Sequence, residues 1–315
     1  MNRRSPRSHW TSNIDAGLPF HRRMTVLELI DAKATQLEAA GVSFGHGTAN
    51  AFDEAAWLVL WKLGFALDSE LDGPASIADV PVAPAQLALV ENLIALRIAS
   101  RQPAAYLTNE AWLQGIAFYV DHRVIVPRSL IAELLMGGEL DYWLPARSHR
   151  VLDMCTGGGS LAILAALAWP DLAVDAADIS GDALAVAAIN LDRHGLAGRV
   201  QVFQGDGLAP LSGPYDLILC NPPYVNADSM THLPPEYLAE PALALAGGAD
   251  GMDFVRRLLR DAPSRMTTDA ALVLEVGNER HHFEAAFPDL NAMWLDTSAG
   301  GDQVCVLTRT TLLAP

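Results

Sequence analysis

The spacing of apolar side chains changes character twice along this chain. Val26, Leu29, Ile30 and Leu37 recur at the period of a helix with one buried face, and Thr25 stands three residues before Glu28 as a capping pair. Gly41 is placed to end that helix. The same period predicts a second helix over Asp53 to Leu63 and a third over Pro84 to Ser100, so residues 25–108 read as a small helical domain. From Glu110 to Val126 short aromatic and β-branched runs take over, Trp112-Leu113-Gln114, Phe118-Tyr119-Val120 and Val124-Ile125-Val126. They are broken by Gly115 and by Asp121-His122-Arg123, which predicts a hairpin linker over residues 109–127.

After Arg150, short continuous apolar runs (Val151 to Met154, Ala173 to Ile179, Val200 to Gln204, Tyr215 to Cys220, Ala271 to Val276) alternate with helical stretches rich in Ala and Leu. Strands without polar alternation are buried on both faces, so residues 128–315 are expected to form an α/β domain, a doubly wound, Rossmann-like parallel sheet. The last two runs, Ala292 to Asp296 and Gln303 to Arg309, are separated by a Gly-Gly-Asp turn with no helix between and predict an antiparallel C-terminal strand pair.

Bulk properties narrow the class of partner. No apolar run approaches the roughly 20 residues that span a bilayer, so no membrane role is expected. A net charge of −16 disfavours phosphate backbones and suits a basic protein partner. Cys155, Cys220 and Cys305 show no paired spacing, which argues against a disulfide framework or a metal site and fits a reducing cytoplasm. Residues 1–24 carry Arg3, Arg4, Arg7, Arg22 and Arg23 with no apolar core behind them, as in a disordered basic tail; a transit peptide or an over-extended start are the other readings.

The first strand of the sheet runs from Asp153 into Cys155-Thr156-Gly157-Gly158-Gly159 and then a helix. Ligands of doubly wound sheets bind at such a strand end, where glycines let the backbone approach and the helix offers free N–H groups. A tight turn without a ligand would use the same glycines. Asp178 ends the next strand about twenty residues on, where an acid can accept from both hydroxyls of a ribose or, alternatively, cap the helix near Asp182. Asp206, between Gly205 and Gly207 after the third strand, could meet an adenine amine. Three strand ends thus converge on a nucleoside-shaped pocket. The spacing differs from the dinucleotide fingerprint, which makes S-adenosyl-L-methionine the better candidate.

The fourth strand enters Asn221-Pro222-Pro223-Tyr224 directly. The prolines fix φ and remove two donors, which leaves the Asn221 side chain and the Pro222 carbonyl as acceptors for an NH₂ group. An amide or aromatic amine is a poor nucleophile because its lone pair is delocalised. Two acceptors would aim that lone pair at a sulfonium methyl, and the Tyr224 ring would cover the planar group. A rigid turn is the bland alternative. Cys220 reads as a small core residue, and Glu275 as either a pocket support or a sheet-edge cap.

At these residues the chain resembles the bacterial glutamine methyltransferases that modify translation proteins. The likeness covers nearly everything after the tail: Arg101 to Leu107, Ile125 to Ser129 with Glu133, the Asp153 to Ser160 turn, Asn221 to Met230, Leu233 to Leu245, Gly247 to Phe254 and Leu274 to Asn278. Phe44 to Asn50, Ser129 after the Pro-Arg pair and Cys155 are similar to the branch acting on the third protein of the large ribosomal subunit, free or in an assembling ribosome. The resemblance implies a class I methyltransferase sheet and methylation of a glutamine side-chain amide. It implies Asn221, Pro222, Pro223 and Tyr224 as the substrate clamp, Asp153, Thr156, Gly157, Gly159, Asp178, Asp206 and Asn221 around the cofactor, and a helical domain that reads the protein substrate. Gly158 and Gly205 to Gly207 depart from the family's usual forms.

A release factor is the nearest alternative substrate. Adenine N6 methylation of nucleic acid would use the same clamp but calls for a basic face that a charge of −16 does not supply. A cofactor-binding scaffold without turnover has no use for the clamp. His46, Arg101 and Arg128 either orient substrate or lock the domains together.

Overall fold

The computed structural model describes residues 23–144 and 147–314, so all but the last two residues of the expected basic tail lie outside the described residues. Helix α1 (Val26–Ala39) begins with a full capping box between Thr25 and Glu28. Helix α2 (Ala51–Leu63) starts two residues earlier than its apolar pattern suggests, because the Asn50 side chain accepts the Asp53 N–H and caps it there. Helix α3 (Pro84–Ser100) has the expected bounds and α4 (Ala104–Thr108) follows.

The linker holds one short hairpin, β1 (Ala111–Leu113) against β2 (Ile116–Phe118). The third run, Val124-Ile125-Val126, forms no strand. Its backbone is spoken for by side chains: the Tyr106 hydroxyl donates to the Val124 carbonyl, and the Val126 N–H donates to the Glu240 carboxylate at 2.8 Å. Helix α5 (Ile131–Gly137) then leads into the sheet domain.

There the chain runs β3 (Arg150–Met154), α6 (Ser160–Ala168), β4 (Ala173–Asp178), α7 (Gly181–Arg193), β5 (Val200–Gln204) and β6 (Tyr215–Cys220). It continues through α8 (Ala227–His232), α9 (Pro235–Leu238), α10 (Asp253–Asp261), β7 (Met266–Glu275), α11 (Arg280–Ala286), β8 (Met293–Thr297), β9 (Gly300–Thr308) and α12 (Arg309–Leu312). The seven strands lie in the order β5-β4-β3-β6-β7-β9-β8. The first five are parallel, and β9 inserts antiparallel between β7 and β8, as the expected C-terminal pair. Strand order reverses between β3 and β6, the place where ligands of such sheets bind.

One apolar cluster joins Val26, Leu58 and Ile94 of the helical domain to Val120, Val124 and Val126 of the linker and to Val186 of α7. The helical domain is therefore packed onto the sheet domain rather than tethered to it. Among the described residues no helix is long and apolar enough to cross a membrane.

Candidate active site

A cavity of about 270 Å³ opens where the carboxyl ends of β3, β4 and β6 meet, lined among others by Asp153, Thr156, Gly157, Asp178, Asp206, Asn221 and Pro223. Its floor is the turn after β3. Gly157 sits there at φ +55°, and its N–H donates to Asp178 Oδ2 at 2.9 Å, so the strand end and the turn brace each other. Asp178 Oδ1 accepts from the Ser180 N–H, and Ser180, not Asp178, caps α7. Burial raises the Asp178 carboxyl against the hydrogen bonds from Ser180 and Gly157. Gly159 does not line the cavity: it is the N-cap of α6, and Gly158 takes the exposed place. Cys155 lines the cavity with φ at +61°, a backbone position that normally favours glycine.

Asp153 lies 1% exposed at the cavity wall. Its Oδ2 accepts from the Thr156 hydroxyl at 2.5 Å and from the Ala162 N–H at 2.9 Å. Its Oδ1 is buried and has no hydrogen-bond partner among the described residues. Burial is the main influence and pushes this carboxyl up to about 7, in spite of the Thr156 and Ala162 hydrogen bonds.

Asp206 lies differently from its companions. It is about half exposed and carries a salt bridge to Arg257 at 2.7 Å, with both of its oxygens on the same guanidinium nitrogen.

The turn after β6 splits into two roles. Asn221 and Pro223 line the cavity, whereas Pro222 and Tyr224 do not. The Tyr224 ring, expected to cover the acceptor, stands back from the cavity, its hydroxyl donating to Glu275 Oε1 at 3.3 Å. Gly277 makes room for it, since a Cβ there would come within 2.5 Å of the ring. Glu275 ends β7 nearly buried; its Oε2 accepts from the Ser129 hydroxyl at 2.6 Å and the Leu130 N–H at 2.9 Å. It supports the pocket and caps no sheet edge. Burial raises its carboxyl, as it raises the Cys220 thiol, which lies fully buried in the core.

Sequence reasoning missed the segment between β6 and α10, which ties the turn after β6 to the helical domain. Glu236 and Glu240 are both buried. Glu236 accepts from Arg97 at 3.0 Å, from Arg101 and from the Ser43 N–H, while Arg97, fully buried, also holds Glu54 at 2.8 Å. Glu240 takes Arg128 through both oxygens at 2.7 Å and lies 3.4 Å from His46 Nε2. Burial alone would raise the Glu240 carboxyl, but the paired hydrogen bonds from Arg128, with His46 close by, outweigh it and hold it at about 2. Arg97 and Arg101 on Glu236, with His46 beside Glu240, thus join the helical domain to the sheet domain, whereas Arg128 braces Glu240 from within the sheet domain. Only the pairing of acids at 236 and 240 with arginines far off in sequence carried this information, and one sequence does not reveal such pairs.

Comparison with known proteins adds a lineage to the geometry. Residues 139–248 match the family described as the Methyltransferase small domain. The chain is 54% identical over 288 residues to a Bordetella pertussis protein named ribosomal protein uL3 glutamine methyltransferase, covering 90% of this chain and 95% of that one. It is 49% identical to a Burkholderia pseudomallei protein of the same name, covering 92% and 96%. Among solved structures it is similar to the hMettl16 catalytic domain in complex with MAT2A 3'UTR hairpin 1, at 14% identity and a TM-score of 0.50, covering 80% of this chain and 89% of that one, a likeness of fold alone.

Proposed function

The chain belongs to the family of ribosomal protein uL3 glutamine methyltransferases, and from that premise we propose that it methylates a glutamine side-chain amide of ribosomal protein uL3, with S-adenosyl-L-methionine as donor and Asn221 as the central acceptor-binding residue. The observation that carries this reading is the meeting in one cavity of Asp153, Gly157 and Asp178 with Asn221 and Pro223.

The residues fit the cofactor in chemistry. Asp153 Oδ1 is a buried acceptor in want of a donor, which the ammonium of a methionine moiety provides. Asp178, partly buried at the end of β4, is suited to ribose hydroxyls, and the Thr156 and Gly157 turn to the part between. Asp206 reaches an adenine amine only by sharing its carboxylate with Arg257. When bound, the cofactor supplies a methyl group made electrophilic by a sulfonium.

The chain's own work is to make an amide nitrogen attack. Asn221 Oδ1 accepts one amide N–H, and the carbonyl of Pro222, whose ring lies behind the cavity wall, is the second acceptor the turn offers; together they pull the nitrogen towards tetrahedral geometry and aim its lone pair for in-line displacement. Transfer would form the N–C bond with the pair that amide resonance had delocalised while the sulfonium C–S bond breaks with its pair left on sulfur, and the methylated nitrogen would shed its extra proton to water. Tyr224 contributes by fixing the turn through Glu275.

The test is transfer of labelled methyl from S-adenosyl-L-methionine to purified uL3, to a class-one release factor and to duplex DNA, each with an Asn221→Ala control. Label on a glutamine of uL3 upholds the proposal; label on the release factor or DNA alone overturns the substrate.

A further inference from the structure

The segment from Val225 to Gly247 leaves the clamp and returns to it. The Val225 N–H donates to the Leu245 carbonyl and the Gly247 N–H to the Val225 carbonyl, each at 2.8 Å, so the closed strap starts and ends one residue after Tyr224. Within it, a 3₁₀ turn (Ala242–Ala244) is fixed by the Ala244 N–H on the Pro241 carbonyl at 2.9 Å. Pro241, Leu243 and Ala244 line the same cavity as Asn221 and Pro223.

Leu243 is nevertheless 58% exposed. A single exposed leucine is ordinary on a protein surface. This one differs in its mounting. The residue before Pro241 is Glu240, buried, hydrogen-bonded by Arg128 and by the Val126 N–H, and 3.4 Å from His46 Nε2 of the helical domain. An apolar side chain is thus held at the cavity by an ion pair whose carboxylate is fully buried, which limits its screening by solvent. No described side chain seals it off, so the surface is left for an apolar group that arrives with the acceptor.

We propose that Leu243 is a specificity-determining residue that packs against an apolar side chain flanking the acceptor glutamine in the protein substrate, and that Glu240 is the positioning residue that holds it there. The inference rests on the methyl-acceptor reading above. It assigns recognition next to the reacting amide to the strap, and links that recognition to docking of the helical domain, because Arg97 and Arg101 of that domain hold Glu236 of the same strap and His46 lies 3.4 Å from Glu240.

Three readouts on full-length protein test it: KM for purified uL3, kcat, and the dissociation constant of S-adenosyl-L-methionine by calorimetry. Leu243→Ser is expected to raise KM about tenfold while kcat and cofactor affinity stay within about twofold, with Leu243→Met restoring KM. Glu240→Gln is expected to raise KM likewise, and to add little when Leu243 is already Ser, because it acts through that side chain. An unchanged KM in Leu243→Ser, or cofactor affinity falling in step with KM, overturns the role of Leu243. Effects of the two substitutions that simply add overturn the positioning role of Glu240. Wild-type protein that transfers no methyl to uL3 overturns the functional reading itself, an outcome separate from an active enzyme with an indifferent Leu243.

Discussion

On the proposed assignment of Asp153 to the cofactor's ammonium, cofactor binding is a proton-linked event. Its carboxyl is pushed up to about 7 by burial, and its unpartnered Oδ1 can meet an ammonium as a strong acceptor only after the proton has left. For a group titrating near 7, roughly one tenth is ionised at pH 6 and half at pH 7, so S-adenosyl-L-methionine should bind about fivefold more tightly at pH 7 than at pH 6. Between pH 5.5 and 7.5 the gain is about 25-fold by the same relation, in a range where an α-amino group, itself titrating at about 7.7 to 8.0, stays mostly protonated. Calorimetry at pH 7 in two buffers of different ionisation enthalpy should register release of about half a proton per cofactor. Asp153→Asn removes the titration, so its affinity should be flat over the range and about 10- to 100-fold weaker at pH 7.5. The sign also runs through the free protein. An acid whose folded value is raised contributes stability that is present below its unfolded value near 4 and lost as pH climbs through about 7, so the ligand-free fold should weaken over that window. A flat wild-type affinity, or an Asp153→Asn profile that keeps the wild-type slope, would refute the reasoning.

Other sites give sharper separations. Asn221→Ala should lower kcat on uL3 by on the order of a hundredfold and leave cofactor affinity within a few-fold, measured by steady-state kinetics alongside calorimetry; equal losses in both would remove it from the transition state. Asp178→Ala should do the reverse, weakening the cofactor by about 10- to 100-fold, and an unchanged dissociation constant would take it out of the ribose site. Arg97→Met leaves Glu54 and Glu236 buried without their shared cation, which should cost about 3–5 kcal/mol and lower the melting temperature by roughly 5–8 °C at pH 8. Because burial already raises Glu54, losing the arginine raises it further, so the deficit should shrink from pH 8 towards pH 5 as that carboxyl takes up a proton. Thermal scans in which the gap widens at pH 5 would contradict the buried pairing.

Legibility followed the range of the interactions. Helices α1 and α3 were readable because capping and a long apolar stripe act within a few residues, as in the Thr25–Glu28 box. The short helices α5, α8, α9, α11 and α12 went unpredicted, since four to seven residues hardly complete two turns and their apolar period cannot declare itself. Val124 to Val126 misled for the opposite reason: its residues favour a strand, but Tyr106 and Glu240 claim its backbone from elsewhere. At the site, the glycine turn, Asp178 and Asn221 were readable as strand-end chemistry. The withdrawal of Tyr224 to Glu275, the salt bridge that occupies Asp206 and the shift of exposure from Gly159 to Gly158 were not, because each depends on what packs behind the residue.

By itself, then, the amino-acid order determined that a parallel α/β sheet follows a helical domain and that acids and a two-proline turn stand at its strand ends, since period, caps and turns are local properties of the chain. Tertiary structure alone decided which of those groups face one cavity and which face the protein. It also decided that Glu54, Glu236 and Glu240, ordinary surface acids by composition, are buried counter-ions of Arg97, Arg101 and Arg128. The physical reason is that a charge enters the interior only where a partner already waits, and in this protein Glu236 and Arg97 are brought from 139 positions apart by the packing of one domain on the other.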